Sequence, residues 1–436
     1  MGLIKLFDRL AESEDEELMR VFKSMYGPLA QLTLIYPTFR RKYLPMTLLV
    51  FCFTSFFLFV HYWLLTITLY VSLDDLELTS LTFHHWMIFT FTVLTIPILN
   101  HNRNIMGDTH RFLQDNLGEY EAIKIYSEER PTQYRKNKKS ELIKFLFLPG
   151  FVIALTSCLL MVPYLRKLFK PPHYSEHGVN MNLPIGIWYP IETHEGLMHV
   201  LAVLGQLITG GNVALTLGTL EAMLFRVAQA IIFEFKVLQY SLETVFSRAR
   251  RVYLKRHPGS GGNEVHHKNP EFQKCVTHCI KECIIHHHKI LSVLKGFENL
   301  IKWPVALAYG IGTGSIGVCL VSVLLAKESG NYENIILFGL LTVVEVLNMF
   351  MLSIIGELIT SETKSLRDAL YFIEWHKLNG VNRRMLLNFQ VGVNEPVIMY
   401  AGGLVALCMD TFSSIMNSSY SFFNLMNADV GGSKGS

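Results

Sequence analysis

Charge is scarce in this 436-residue sequence: Asp, Glu, Lys and Arg make up 17% of it, against about 25% in a typical soluble chain. Half of the residues are apolar and the mean hydropathy is +0.30. That balance excludes a secreted enzyme, and a net charge of +3 is too small and too dispersed for a nucleic-acid binder. Other absences narrow the field. The opening MGLIKLFDRLAESEDEELMR is amphipathic, without the apolar core of a cleaved signal peptide, so a cytosolic start is expected. Gly2 is followed by Leu6 where a myristoylation motif wants Ser or Thr. Seven cysteines, an odd number scattered through apolar runs, make no disulfide framework. Without a phosphate-binding glycine loop, nucleophile elbow or zinc-protease helix, neither an enzyme nor a cofactor is expected. The lack of an internal repeat disfavours a transporter built from inverted halves. The terminal GGSKGS, 431–436, is set aside as a linker remnant.

What is present is a series of long charge-free runs. They cover Tyr43–Ser72, Leu78–Asn102, Phe145–Leu165, Gly196–Leu220 and Trp303–Ala326, then Asn334–Gly356 interrupted by Glu345, and Pro396–Ala428 interrupted by Asp410. Each reaches the ~20 residues that cross a bilayer as a helix. The reading is an all-α membrane protein of seven transmembrane helices. Arg40, Arg41 and Lys42, the cluster Arg130, Arg135, Lys136, Lys138 and Lys139, and Arg248, Arg250, Arg251, Lys255 and Arg256 fall on one side. Asp74, Asp75 and Glu77 fall on the other. By the positive-inside rule the amino terminus is cytosolic and the carboxyl terminus extracellular, the reverse of a metabotropic seven-helix receptor. Arg166, Lys167 and Lys170 are a minority on the outer side.

Apolar periodicity continues beyond the fourth span through Leu224, Val227, Ile231, Phe235 and Leu238, and again from Phe272 to Ile301 before the fifth. Helices with this pattern project into the cytosol and pack on each other. The expected organisation is a cytosolic segment 1–42, spans one to four over 43–220, and cytosolic helices over 221–302. Spans five and six occupy 303–359, a further cytosolic segment 360–395, and the last span 396–430.

Three clusters carry candidate chemistry. On a helix, Cys275, Cys279 and Cys283 share one face and His278, Glu282 and His286 the next. A structural zinc needs four converging ligands and one straight helix rarely gives more than two, so a packed, hydrogen-bonded helix interface is the expectation and no metal site is assigned. Glu345 and Asn348 lie at membrane depth, where polar groups face a cavity or pore or bond a neighbouring helix. In the last span Asp410, Ser414, Asn417, Ser421, Asn424 and Ala428 form one narrow stripe, with Phe412, Ile415, Phe422, Phe423 and Met426 pointing away. Such a stripe either packs on a helix or lines water; Leu425, at its outer edge, is placed to constrict a pore by dewetting.

The carboxyl-terminal third resembles the insect odorant receptor family. The resemblance rests on Gly356 to Glu362, Asp368 to Tyr371, Trp375, Arg383, Arg384, Leu386 and Leu387, Ala401 to Gly403, Asp410 to Ser413, Ile415 and Ser419 to Phe423. Pro184, Trp188, Tyr189 and Pro190, and Glu282, Cys283, Ile284, His286 and His287, add to it. It implies a tetrameric channel subunit, odorant-gated and cation-permeable without selectivity, in the plasma membrane of olfactory neurons. The last helix would be broken into a cytosolic part, about Val381–Val393, and a pore part, about Leu404–Ala428, with Leu425 as gate and Ala428 in the outer pore. Ser353, Ile354 and Ile355 replace the Cys-aromatic pair of many members, and the loop around His257–Pro270 is shorter than the co-receptor's. The chain thus resembles a ligand-specific subunit that partners co-receptor subunits in a heterotetramer. The family's pocket would place His84, Met87, Ser157, Leu160, Met161, Met198, Gln206, Phe338, Leu341 and Thr342 around a volatile, mostly apolar odorant. A gustatory-type homomeric channel is the alternative, a metabotropic receptor the more distant one.

Overall fold

The computed structural model describes residues 44–112, 178–258 and 267–432, with single positions at 35, 117, 120, 150, 154 and 175. The third span, with Ser157, Leu160 and Met161, lies outside the described residues, as does most of the loop carrying Arg130 to Lys139. The described chain is helical almost throughout: α1 (Leu44–Val71), α2 (Leu76–His101), α3 (Arg103–Phe112), α4 (Gly196–Glu243), α5 (Val245–Arg256), α6 (Pro270–Glu328), α7 (Tyr332–Tyr371), α8 (Gly380–Gly392) and α9 (Met409–Gly432). Among the described residues, α1, α2, α4, α6 and α7 are long and apolar enough to cross a membrane. Helix α9 is long enough at 24 residues, but its serines and asparagines dilute its hydropathy.

Short polar caps start these helices where the charge-free runs begin. Asp75 accepts from Leu78 N at 3.0 Å, and Asn331 and Asn379 cap α7 and α8 in the same manner. Asn269 accepts from Glu271 N at 2.9 Å with Pro270 in the first turn of α6; each cap satisfies an amide the helix leaves unpaired. The α6–α7 turn closes on Gly330, whose φ of 67° suits a residue without Cβ.

Spans four, five and six are parts of longer rods. Helices α4, α6 and α7 run for 48, 59 and 40 residues, so the membrane boundary leaves no mark in the backbone. Beyond it, Val227, Ile231, Phe235 and Leu238 of α4 and Val276, Cys279, Ile280, Cys283 and Phe297 of α6 are fully buried. These side chains leave water on folding, each fully buried aliphatic or aromatic contributing about 1.5–3 kcal/mol.

The run from Pro396 does not open as a membrane helix. Tyr400–Ala401 (β1) and Val405–Ala406 (β2) pair antiparallel, Tyr400 against Ala406. Gly402 and Gly403, φ 61° and 76°, make the turn between them, and α9 starts only at Met409. The glycine pair forces the reversal, and Gly402 N donates to Lys302 O at 2.9 Å, tying the hairpin to α6. The pore segment expected from 396, or from Leu404, is therefore a hairpin followed by a shorter helix.

Candidate functional site: a membrane chamber and the bare face of the last helix

A chamber of about 170 Å³ lies between α2, α4, α6, α7 and the outer loop before α4. The loop roofs it because buried side chains fasten the loop down. Gln206 on α4 accepts from Ile185 N at 2.8 Å and donates to Ile185 O at 2.9 Å, and Trp188 N donates to Thr68 Oγ1 at 2.9 Å. The walls are mainly apolar, with Ile88, Val213, Leu217, Val305, Ile311 and Leu352 among them. Polar groups enter at a few points: His84 and His85 from α2, Glu221 from α4, Glu345 and Asn348 from α7. His84 is buried with Nδ1 2.7 Å from Ser315 Oγ, while its Nε2 has no hydrogen-bond partner. Glu221 is 8% exposed, beside Asn348 and within charge range of Glu345.

Of the described residues expected at a ligand, His84 and Leu341 line the chamber. Met87 and Phe338 are buried outside its lining, with Phe338 packed on Cys319 and Leu341. Thr342 donates back to Phe338 O at 2.8 Å. Gln206 serves the roof, and Met198 is 45% exposed near the start of α4. The chamber also reaches deeper than the outer half, to Glu221 and Leu224. Glu345 and Asn348 were visible in the sequence as polar breaks in an apolar run. Glu221, the first charge after Leu220, reads there as the end of a span.

Helix α9 packs on α6 and α7 through Phe412, Ile415 and Met416; the Phe412 ring lies 5.6 Å from that of Phe350. Ser414, Asn417, Ser421 and Asn424 lie exposed on the other side. A shallow groove along this face joins Asp410, Ser413, Ser414, Asn417, Ser418 and Ser421. Leu425 is 61% exposed; the helix continues through Ala428. Close contacts tie the start of this helix to α7. Gly356 of α7 lies so close to Leu407, just before α9, that a Cβ there would overlap the Leu407 carbonyl and side chain, and Met409 N donates to Glu357 Oε2 at 3.3 Å.

The cysteine–histidine segment of α6 is an interface. Arg248 of α5 donates to Glu282 Oε2 at 2.9 Å, Cys279 O at 3.0 Å and Cys283 Sγ at 3.2 Å, its guanidinium 4.6 Å from the Tyr120 ring. His286 is 2.9 Å from Glu234 Oε2 and 2.7 Å from Tyr120 OH. Burial pushes the Cys279 thiol up to about 12 and the Cys283 thiol to about 11, so both stay protonated, unlike metal-bound thiolates. No group of three or more metal ligands assembles among the described residues.

Long apolar helices gathered around a chamber fit a multi-pass membrane protein. A family model described as 7tm Odorant receptor matches residues 113–420, and the chain belongs to that family, one of receptors and not of enzymes. It is 28% identical over 137 residues to Odorant receptor 33b of Drosophila melanogaster, covering 31% of this chain and 35% of that one. It is 22% identical over 174 residues to Odorant receptor Or2 of Anopheles gambiae, covering 40% and 44%. The chain thus spans less than half the length of these relatives. In three dimensions it is similar to the insect olfactory receptor OR5 of Machilis hrabei in complex with eugenol, with a TM-score of 0.69 over 94% of this chain and 99% of that one, at 12% identity. A second structure of OR5 of Machilis hrabei gives a TM-score of 0.65 at 11% identity. At such identity the likeness is one of fold.

Proposed function

We propose that this chain is the ligand-specific subunit of an odorant-gated, non-selective cation channel in the plasma membrane of olfactory sensory neurons, assembled with co-receptor subunits as a heterotetramer around a pore lined by α9. The observation that carries the reading is the bare polar face of α9: Ser414, Asn417, Ser421 and Asn424 stay exposed while the opposite face is packed. A row of amides and hydroxyls facing lipid is costly, whereas facing water between subunits it replaces part of an ion's hydration. In the cytosol Val381, Leu387 and Val391 of α8 are 68%, 58% and 70% exposed, apolar side chains that contact with another subunit would take out of water.

In this reading the chamber holds the odorant. A ligand that binds the open arrangement more tightly than the closed one shifts the population toward the open pore by its differential affinity. The chamber shares α6 and α7 with the packed side of α9, so repacking around the ligand moves that helix and carries Leu425 off the pore axis.

Voltage-clamp recording from cells expressing this chain, the co-receptor, or both, during a panel of volatiles, tests the reading. Odorant-evoked cation current only with both subunits is the expected result. Current from this chain alone would replace it with a self-sufficient channel, and silence to the whole panel despite surface expression of both would refute it.

A further inference from the structure

Among the described residues, the chamber lining holds two acids and no lysine or arginine. Glu221 and Glu345 face it from α4 and α7 with Asn348 beside them, and Glu345 Oε2 lies 3.6 Å from where a Cβ of Gly312 would stand. Glu221 is 8% exposed and its Oε2 has no hydrogen-bond partner. A buried acceptor left unmade is costly, and two carboxyl groups in one apolar space repel when both are ionised. A single occupant relieves both problems if it brings N–H donors and a positive charge. We propose that the chamber is a site for a small organic amine, bound as its ammonium with the N–H groups directed to Glu221 and Glu345 and the hydrocarbon body against Val213, Leu217 and Val305.

The body of the occupant follows from the walls. A bare metal ion would want six or more oxygen ligands, and the lining offers two carboxyls and one amide among aliphatic and aromatic side chains. At about 170 Å³ the space is below the ~300 Å³ at which drug-sized pockets begin, so the amine is small enough to be volatile. Among the described lining residues, His84 and His85 are the remaining titratable groups. Each ring is held through Nδ1, His84 by Ser315 at 2.7 Å and His85 by Leu81 O at 2.8 Å, and the acids are the groups that set a cationic ligand apart from a neutral one.

The inference rests on the receptor reading for the location of the ligand but not on channel activity. Its test is therefore equilibrium binding: dialysis of the purified full-length chain in lipid nanodiscs against radiolabelled phenethylamine and, separately, phenethyl alcohol, which has the same body without the charge. The amine should bind at least about tenfold more tightly than the alcohol, and the preference should vanish in Glu221→Gln and Glu345→Gln, which keep shape and hydrogen-bonding capacity. Equal binding of amine and alcohol, or a preference that persists in both variants, would overturn the proposal and leave the acids as a proton-sharing structural pair. The wild-type comparison stands even if a variant fails to fold. Amine binding without any evoked current in cells would refute the channel and leave the amine site intact, while currents evoked by neutral volatiles alone would do the reverse.

Discussion

A methyl group on Gly356 has nowhere to go. Its Cβ would overlap the Leu407 backbone, and backbone on both sides cannot yield as a flexible side chain can. Gly356→Ala should cost about 1–3 kcal/mol through overpacking, read as a lower melting temperature in detergent and reduced surface expression. An unchanged melting temperature would mean that α7 and the hairpin do not touch as described. Leu425 makes a different prediction, because it packs on little within the chain at 61% exposure. Leu425→Ser should leave the stability within about 0.5 kcal/mol of wild type and raise the basal current by removing the dewetting surface of the proposed gate. Unchanged gating in a well-expressed variant would remove Leu425 from that role.

At the scale of elements, the junction of α4, α5 and α6 depends on one guanidinium. Arg248 is 3% exposed and donates to Ser241 O, Glu282, Cys279 O and Cys283 Sγ. Arg248→Met removes the guanidinium from Glu282, whose side chain is 13% exposed and also lies 3.4 Å from His278 Nε2, and breaking a buried pair from one side costs about 3–5 kcal/mol. The double variant Arg248→Met, Glu282→Gln should recover part of that loss, and equal melting temperatures for single and double variants would show that the ion pair is not the source. This junction is also where the sequence was most and least legible. The apolar stripe Val227, Ile231, Phe235 and Leu238 is periodic enough to announce a cytosolic helix, and its residues are fully buried. The cysteines and histidines of α6 announce themselves as ligands, yet a cation from another helix, far away in sequence, occupies their face. The hairpin at Tyr400–Ala406 was hidden because its residues are as apolar as a span; only Gly402 and Gly403 betray the turn. In the chamber the identity of Glu345 as an intramembrane acid could be read from its interruption of a run. Glu221 could not, since nothing in one dimension places the end of one span opposite the middle of another.

For the whole molecule, acid is the simplest probe of the cytosolic bundle. Burial lowers His110 to about 4 and His287 to about 4, the second with help from its neighbours His288 and His286. Between the ordinary histidine value of 6.5 and about 4 the unfolded chain takes up protons that the folded chain refuses. Stability is therefore retained at neutral pH and lost as pH falls through that window, by about 1–3 kcal/mol per ring. Lowering the pH from about 7 to about 5 should depress the melting temperature, and His287→Leu should flatten the dependence. A pH-independent melt of the wild-type chain would contradict the burial of these rings.

The central claim is that α9 presents Ser414, Asn417, Ser421 and Asn424 to permeating ions. Single cysteine substitutions along the helix, expressed with the co-receptor and exposed to a charged, membrane-impermeant thiol reagent during odorant application, test it most directly. Modification should block current at the four stripe positions and leave Ile415→Cys unaffected, against an unmodified wild-type control. Block at Ile415→Cys with the stripe positions silent would place the other face of α9 at the pore and contradict the account.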